Sequence, residues 1–275
     1  MRVGLVGLGR MGSAMAGRLT AEGVAVTGFD LDPAKDAAAR IETVAAPVVI
    51  LSLPDEKAVG DALEPLLAVL PQGAVIADTS TLSPIAARGF AQRSAARDIV
   101  YLDAPVSGGP TGAAAGTLTV MLGGEAKALD RARPVLDRIA ARIVHVGASG
   151  AGQVAKLVNN LLVATHLVVA GEALRIGEQA GVPAEALLSV INTASGRSAA
   201  TEVNLPRWIL SGRFDSGFTA GLMRKDVRLA MELAREVGAE PAACTRAAAS
   251  WESGFVGESD DFNRLAAAIM AGARA

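Results

Sequence analysis

Val3-Gly4-Leu5-Val6-Gly7-Leu8-Gly9-Arg10-Met11-Gly12-Ser13 is the stretch on which the fold turns. An apolar run suited to a buried strand passes without a linker into a Gly-x-Gly-x-x-Gly turn, and a helix opens near Ser13. Each glycine has a physical task in such a strand–turn–helix. Gly7 permits the tight turn, Gly9 lets the backbone approach a pyrophosphate, and Gly12 allows helix and strand to pack closely. Leu8, Arg10 and Met11 complete the turn, whose backbone N–H groups and positive helix end suit phosphates. In a chain with 30 glycines the pattern alone would be weak, and its context gives it weight.

The apolar run over 24–29 ends at Asp30, where a carboxylate can accept hydrogen bonds from adenosine ribose hydroxyls. The same charge repels a 2′-phosphate, and Leu31-Asp32-Pro33 supplies no arginine to neutralise one, so the cofactor expected is NAD rather than NADP. Asp32, just before Pro33, reads as the N-cap of the next helix.

Working outward, short β-rich runs at 48–53, 75–78, 99–104, 118–122 and 143–146 alternate with helix-like stretches, the pattern of a mostly parallel sheet with crossover helices. After Gly152 strand signals stop, and helical patterns follow at roughly 152–180, 184–194, 218–237, 241–255 and 261–273. The expected architecture is therefore α/β over 1–149, an NAD-binding domain, followed by an all-α domain over 150–275 for substrate and oligomerisation. Gly147-Ala148-Ser149-Gly150-Ala151-Gly152 marks the boundary and feeds an interdomain helix about 40 Å long. That helix is apolar on more than one face, which implies burial in the helical domain or between subunits and points to a homodimer or homotetramer.

Composition excludes several classes. The 275 residues are 51% hydrophobic and 20% charged, with only 3% aromatics, so the core is aliphatic and large enough for two domains. A formal charge of -2 gives no electrostatic footprint for nucleic acid or an anionic membrane. One cysteine, Cys244, permits no intrachain disulfide, and His145 and His166 make no familiar zinc pattern, so no metal is expected. The glycines from Gly7 interrupt any secretion signal, and the apolar segment 161–171 is broken by His166 and falls short of a membrane span. The chain reads as cytoplasmic.

Further segments carry chemistry. Ser107-Gly108-Gly109 follows a buried strand and offers a hydroxyl with consecutive N–H groups unshielded by side chains, a turn able to cradle a carboxylate. Lys156 and Asn160 stand at i and i+4 on the long helix and face the same way. An ammonium and a carboxamide projecting from a mostly apolar helix cost free energy unless they line a polar cleft. Burial beside an apolar or positive wall lowers a lysine pKa toward neutrality, as proton transfer at physiological pH requires.

With the fingerprint, Leu51-Ser52-Leu53-Pro54, Asp78-Thr79-Ser80-Thr81, Asp103-Ala104-Pro105-Val106-Ser107-Gly108-Gly109, Gly150 to Asn160 and Lys225-Asp226 come in an order that resembles the β-hydroxyacid dehydrogenase family. The resemblance covers nearly the whole chain. It implies a Rossmann-type first domain, hydride transfer between NAD and a short 3-hydroxy acid, and Lys156 as general acid/base assisted by Asn160. It further implies that Ser107, Gly108 and Gly109 bind the substrate carboxylate, that Leu53, Pro54 and Thr81 line the nicotinamide end, and that Lys225 reaches cofactor and substrate. Thr81 also reads as a plain turn hydroxyl or helix cap, and Asp226 as a simple ion-pair partner. Between Pro33 and Val48 the chain is shorter than the family pattern, which fits a helix, a strand and a small helix there; a missing edge strand, a more open adenine pocket and weaker NAD binding follow.

Rival readings are a tartronate semialdehyde or other short aldehyde-acid reductase within the family, an imine reductase on the same fold, and a non-catalytic NAD-binding protein. Imine reductases of this fold replace the lysine at 156, and a scaffold would lose Lys156 or the Ser107 turn; both are present here.

Overall fold

A computed structural model describes residues 1–35 and 40–273. Two compact units divide the chain, Met1–Lys156 and Leu157–Ala275. The first contains β1 (Arg2–Val6), α1 (Arg10–Ala21), β2 (Ala25–Phe29), β3 (Val48–Leu51), α2 (Glu56–Val69), β4 (Val75–Asp78), α3 (Pro84–Ala95) and β5 (Val100–Asp103). It continues through β6 (Val106–Ser107), α4 (Gly109–Ala115), β7 (Leu118–Gly123), α5 (Ala126–Leu136) and β8 (Ala140–Gly147). The sheet runs β2-β1-β3-β4-β5-β7-β6, with β8 also paired to β7. From β2 to β5 all pairing is parallel; β7 runs antiparallel to β5 and β6 and parallel to β8.

The central strands β1, β3, β4 and β5 are nearly continuous apolar runs and largely buried because both of their faces are covered. Alternation along each strand assigns the faces: Val3, Leu5, Ile50 and Val75 pack with α1, α4 and α5 residues such as Met15 and Leu129. Val6, Val49, Leu51 and Ile76 turn the other way, toward Leu63 and Leu66 of α2 and Phe90 of α3. The helices start where their caps stand. Asp55 accepts from the Ala58 N–H at 2.8 Å, and Ser83 accepts from Ala86 with Pro84 opening α3.

The shortened segment after β2 forms a 3-10 turn, Ile41–Val44, among its described residues. This turn lies so close to β1 that a Cβ on Gly4 would strike the Val44 carbonyl. Among the described residues β2 is the edge strand on that side of the sheet; residues 36–39, within the segment where an outer strand was expected to be missing, lie outside those described. The two-residue strand β6 carried no sequence signal, since its pairing with β7 rather than its own length defines it.

The second unit is helical: α6 (Ala151–Gln179), which begins in the first unit, then α7 (Ala184–Ile191), a π-helix (Ala200–Ile209), α8 (Ala220–Glu236), α9 (Ala242–Glu252) and α10 (Arg264–Met270). Trp251 is fully buried in its core with Leu167, Leu205 and Ala266, and the indole N–H donates to the Ala164 carbonyl at 3.3 Å. The π-helix was not expected; Pro206 within it cannot donate a backbone hydrogen bond, and its surroundings override local propensity.

Two expectations about α6 change. The units divide at Lys156/Leu157, inside the helix and past the glycine stretch, because the first turn of α6 is bonded to the sheet of the first unit. The helix as a whole is also long and apolar enough to cross a membrane, contrary to the reading of 161–171 alone. Leu157, Ala164, Leu167, Val168 and Leu174 are nevertheless buried in protein, as in the core helix of a folded domain. Val158, Leu162, Val169 and Ile176 remain exposed along it.

Candidate active site

At the end of β1 the chain turns at Gly7, whose φ of 92° belongs to the region that favours glycine and whose N–H donates to the Phe29 carbonyl at 2.8 Å. A Cβ on Gly12 would collide with the Gly7 carbonyl, so this glycine is demanded by helix-to-turn packing. Gly9 differs: a Cβ there meets nothing within 4 Å. Gly9 is also the N-cap of α1 with no side-chain cap, which leaves an open cradle of backbone N–H groups at the positive end of a helix. The residues therefore fit the pyrophosphate of a dinucleotide. Leu8 is buried under the turn, while Arg10 is exposed and Met11 half-buried.

Asp30 is half-buried at the end of β2 and accepts the Leu8 N–H at 2.6 Å and the Asp32 N–H at 2.9 Å. It thus ties the fingerprint to the end of β2. Asp32 accepts from Ala34 at 2.9 Å in a turn; the helix it was expected to cap would extend into residues outside those described.

Beyond β3, the Leu53 N–H donates to the Ser80 hydroxyl at 2.9 Å, which joins the Leu53-Pro54 loop to the loop after β4. Thr81 lies in that second loop, half-buried, and the cap of α3 is Ser83 instead. The half-buried Ser107 ends β6, and Gly108 and Gly109 follow with φ of 129° and 64°, conformations that side chains rarely permit.

Lys156 is 8% exposed on α6, and Asn160 one turn later is 5% exposed. In the second unit the Asn160 amide donates to Asp226 at 2.6 Å, and Lys225 lies 3.5 Å from the other oxygen of the same carboxylate. Asp226 is thus more than a neighbour's ion-pair partner. A signal for it existed: it stands between Met223 and Val227 on the buried face of α8, an apolar stripe where a lone carboxylate is costly.

Under the first unit's loops lies a polar cluster that motif reading passed over. Asp78, Asp103 and Gln153 are fully buried. Asp78 accepts from the Ser80 N–H at 2.9 Å and from the Tyr101 hydroxyl. Burial raises the carboxyls of Asp78 and Asp103 above the usual range against the lowering effect of their hydrogen bonds, and burial first, with Asp78 second, holds the Tyr101 hydroxyl well above its ordinary value. Among the described residues no group of acidic, histidine or cysteine side chains could hold a metal ion.

A fingerprint open at a helix N-terminus, on a sheet whose loops gather at one end, defines a dinucleotide-binding domain. Residues 2–147 match the family model for the NAD binding domain of 6-phosphogluconate dehydrogenase, and 150–269 match that for NAD-binding of NADP-dependent 3-hydroxyisobutyrate dehydrogenase. The chain belongs to the β-hydroxyacid dehydrogenase family. It is 38% identical over 250 residues to 2-(hydroxymethyl)glutarate dehydrogenase of Eubacterium barkeri, covering 86% of this chain and 83% of the relative. It is likewise 38% identical over 255 residues to the NAD-dependent L-serine dehydrogenase of Pseudomonas aeruginosa, covering 85% of each. The structure of Mycobacterium tuberculosis 3-hydroxyisobutyrate dehydrogenase with L-serine superposes with a TM-score of 0.89 at 34% identity, covering 96% of this chain and 97% of that one. The protein is accordingly an NAD-linked dehydrogenase acting on a hydroxyl-bearing carbon of a hydroxyacid.

Proposed function

We propose that the protein interconverts a short 3-hydroxy acid and its semialdehyde, with Lys156 as the general acid/base. The observation that carries this reading is a lysine buried in the first turns of α6 within the unit that also holds the fingerprint and the Ser107 turn. Three relatives support the substrate class. 3-Hydroxyisobutyrate, L-serine and 2-(hydroxymethyl)glutarate all present a hydroxymethyl group on the carbon next to a carboxylate. The constant part of that skeleton is an anion two bonds from the reacting carbon, which suits a fixed carboxylate cradle.

Bound NAD supplies a hydride acceptor at the reacting carbon. The chain does the rest. Ser107, Gly108 and Gly109 hold the carboxylate through a hydroxyl and backbone N–H groups and so orient the hydroxymethyl group. Neutral Lys156 takes the hydroxyl proton during oxidation and, as an ammonium, returns it during reduction. Asn160, one turn along the same helix, steadies the group at that proton.

Asp30 favours NAD over NADP, and the shortened segment after β2 weakens the hold on the adenine relative to longer relatives. The exposed apolar residues Val158, Leu162, Val169 and Ile176 support assembly as a homodimer or homotetramer. A cytoplasmic location accords with use of the cellular NAD pool.

The deciding experiment is Lys156→Ala with a panel of 3-hydroxyisobutyrate, L-serine, 2-(hydroxymethyl)glutarate and, in the reducing direction, tartronate semialdehyde. Turnover falls about 10² to 10⁴-fold with NAD affinity retained, and the rise of oxidation with pH disappears. Asn160→Ala is milder. Near-normal turnover by Lys156→Ala would remove the mechanism, and failure of every acid in the panel would remove the substrate class.

A further inference from the structure

Asp103 ends β5 opposite Gly123 of β7, and its carboxylate is wholly buried. One oxygen accepts the Gly150 N–H at 2.8 Å and the other the Gln153 N–H at 3.1 Å. Both donors belong to the N-terminal end of α6, a place where backbone N–H groups lack intrahelical partners. Two glycines make the space: a Cβ on Gly123 would stand 2.5 Å from an Asp103 oxygen, and one on Gly152 would stand 2.7 Å from the Asp103 carbonyl. The Gln153 side chain continues the connection, its amide donating to the Ser80 carbonyl at 2.9 Å and its oxygen accepting the Leu82 N–H at 3.0 Å. Those two contacts bracket Thr81, and Ser80 in turn receives the Leu53 N–H at 2.9 Å.

The Asp103 bonds therefore hold the start of α6, and the Gln153 side chain and Ser80 carry the connection into the loops of Leu53 and Thr81. A helix start needs only a serine or aspartate from its own chain end as its cap, as Ser83 and the exposed Asp55 illustrate in α3 and α2. Here the cap is an aspartate taken out of water and reached from another strand, an arrangement that fixes position as well as satisfying donors. Lys156 lies three residues beyond Gln153, less than one turn away. Helix starts otherwise fray, and displacing a proton-transfer group by about 1 Å costs on the order of 10²-fold in rate.

We propose that Asp103 and Gln153 are positioning residues for the reaction: together they clamp the first turn of α6 to the ends of β4 and β5 and thereby set where the Lys156 ammonium stands. This rests on the reading of Lys156 as the acid/base.

The test is a double-mutant cycle in the full-length protein with NAD and 3-hydroxyisobutyrate, measuring kcat, substrate KM and the dissociation constant of NAD. Asp103→Asn turns an amide N–H toward a backbone N–H, and Gln153→Leu removes both side-chain bonds while leaving Asp103 in place. Each lowers kcat by roughly 30-fold or more, with NAD affinity within about 3-fold, and in a Lys156→Ala background each changes the residual kcat by less than about 3-fold. Equal losses in both backgrounds, unchanged kcat, or a parallel loss of NAD binding would overturn the proposal. If Asp103→Asn does not fold, Gln153→Leu decides by the same criteria. Failure of the acid/base reading is separately visible, since it leaves Lys156→Ala alone active.

Discussion

The loop after β1 and the loops after β4 and β5 serve the same end of one sheet and are built by opposite means. The fingerprint works by leaving side chains out: Gly7 for its dihedral, Gly12 for packing and Gly9 for an open cradle. The other loops work by putting side chains in, where Asp78, Ser80, Asp103 and Gln153 bond to one another's backbones out of reach of water. An empty turn can be read from a short stretch of sequence because few residues satisfy it. A buried network cannot, because its partners are scattered over the chain.

The contrast is broken most forcefully within the fingerprint. Gly12→Ala gains about 1 kcal/mol of helix propensity but forces a methyl into the Gly7 carbonyl, an overpacking that costs about 1–3 kcal/mol or more. The expected outcome is a lower unfolding temperature together with lost NAD binding. Gly9→Ala, with nothing to strike, leaves the unfolding temperature within a few degrees yet weakens NAD at least about tenfold, the equivalent of 1.4 kcal/mol. Calorimetry and NAD titration on the pair separate the two roles, and a Gly9→Ala protein that binds NAD normally would mean the cradle is unused.

A smaller effect concerns Asp30. Its charge should favour NAD over NADP by at least about tenfold in kcat/KM. Because the same carboxylate holds the Leu8 N–H, Asp30→Ala should narrow that preference and also weaken NAD itself. Equal kcat/KM values for the two cofactors in the unaltered enzyme would contradict the assignment.

The smallest effect tests the buried network through pH. The Asp78 carboxyl is raised in the folded protein, chiefly by burial, so its contribution to stability is full below the ordinary aspartate range and is lost as pH rises through the raised value. Asp78→Asn cannot ionise. Its stability deficit against the unaltered protein should therefore be larger near pH 4, about the ordinary aspartate value, than at neutrality. A deficit that grows with pH would show that the carboxylate, not the acid, is the favoured form.

Much of the molecule was legible before its structure. Strand periodicity placed β1 through β5 within a residue or two, and the glycine turn, Asp30, the Ser107 turn and Lys156 were found as motifs. What escaped depended on tertiary context. β6 exists only through its pairing with β7, and the π-helix over Ala200–Ile209 has no periodic signature of its own. Asp103 and Gln153 stand inside recognisable motifs, but nothing local reveals that Asp103 bonds the start of a helix 47 residues away. Asp226 could have been suspected from its place on an apolar helical face.

The chain has two tryptophans and one tyrosine, and their placement gives each unit its own optical reporter. Trp208 and Trp251 both belong to Leu157–Ala275, while Tyr101, bonded to Asp78, is the only such chromophore in Met1–Lys156. Indole fluorescence excited beyond the tyrosine band therefore follows the helical unit alone. In the tyrosine band the two indoles also absorb, so the phenol, a member of the polar network, is read there as what remains once the indole signal is subtracted. An unfolding curve at the long-wavelength edge follows the helical unit without cutting the chain or adding a label.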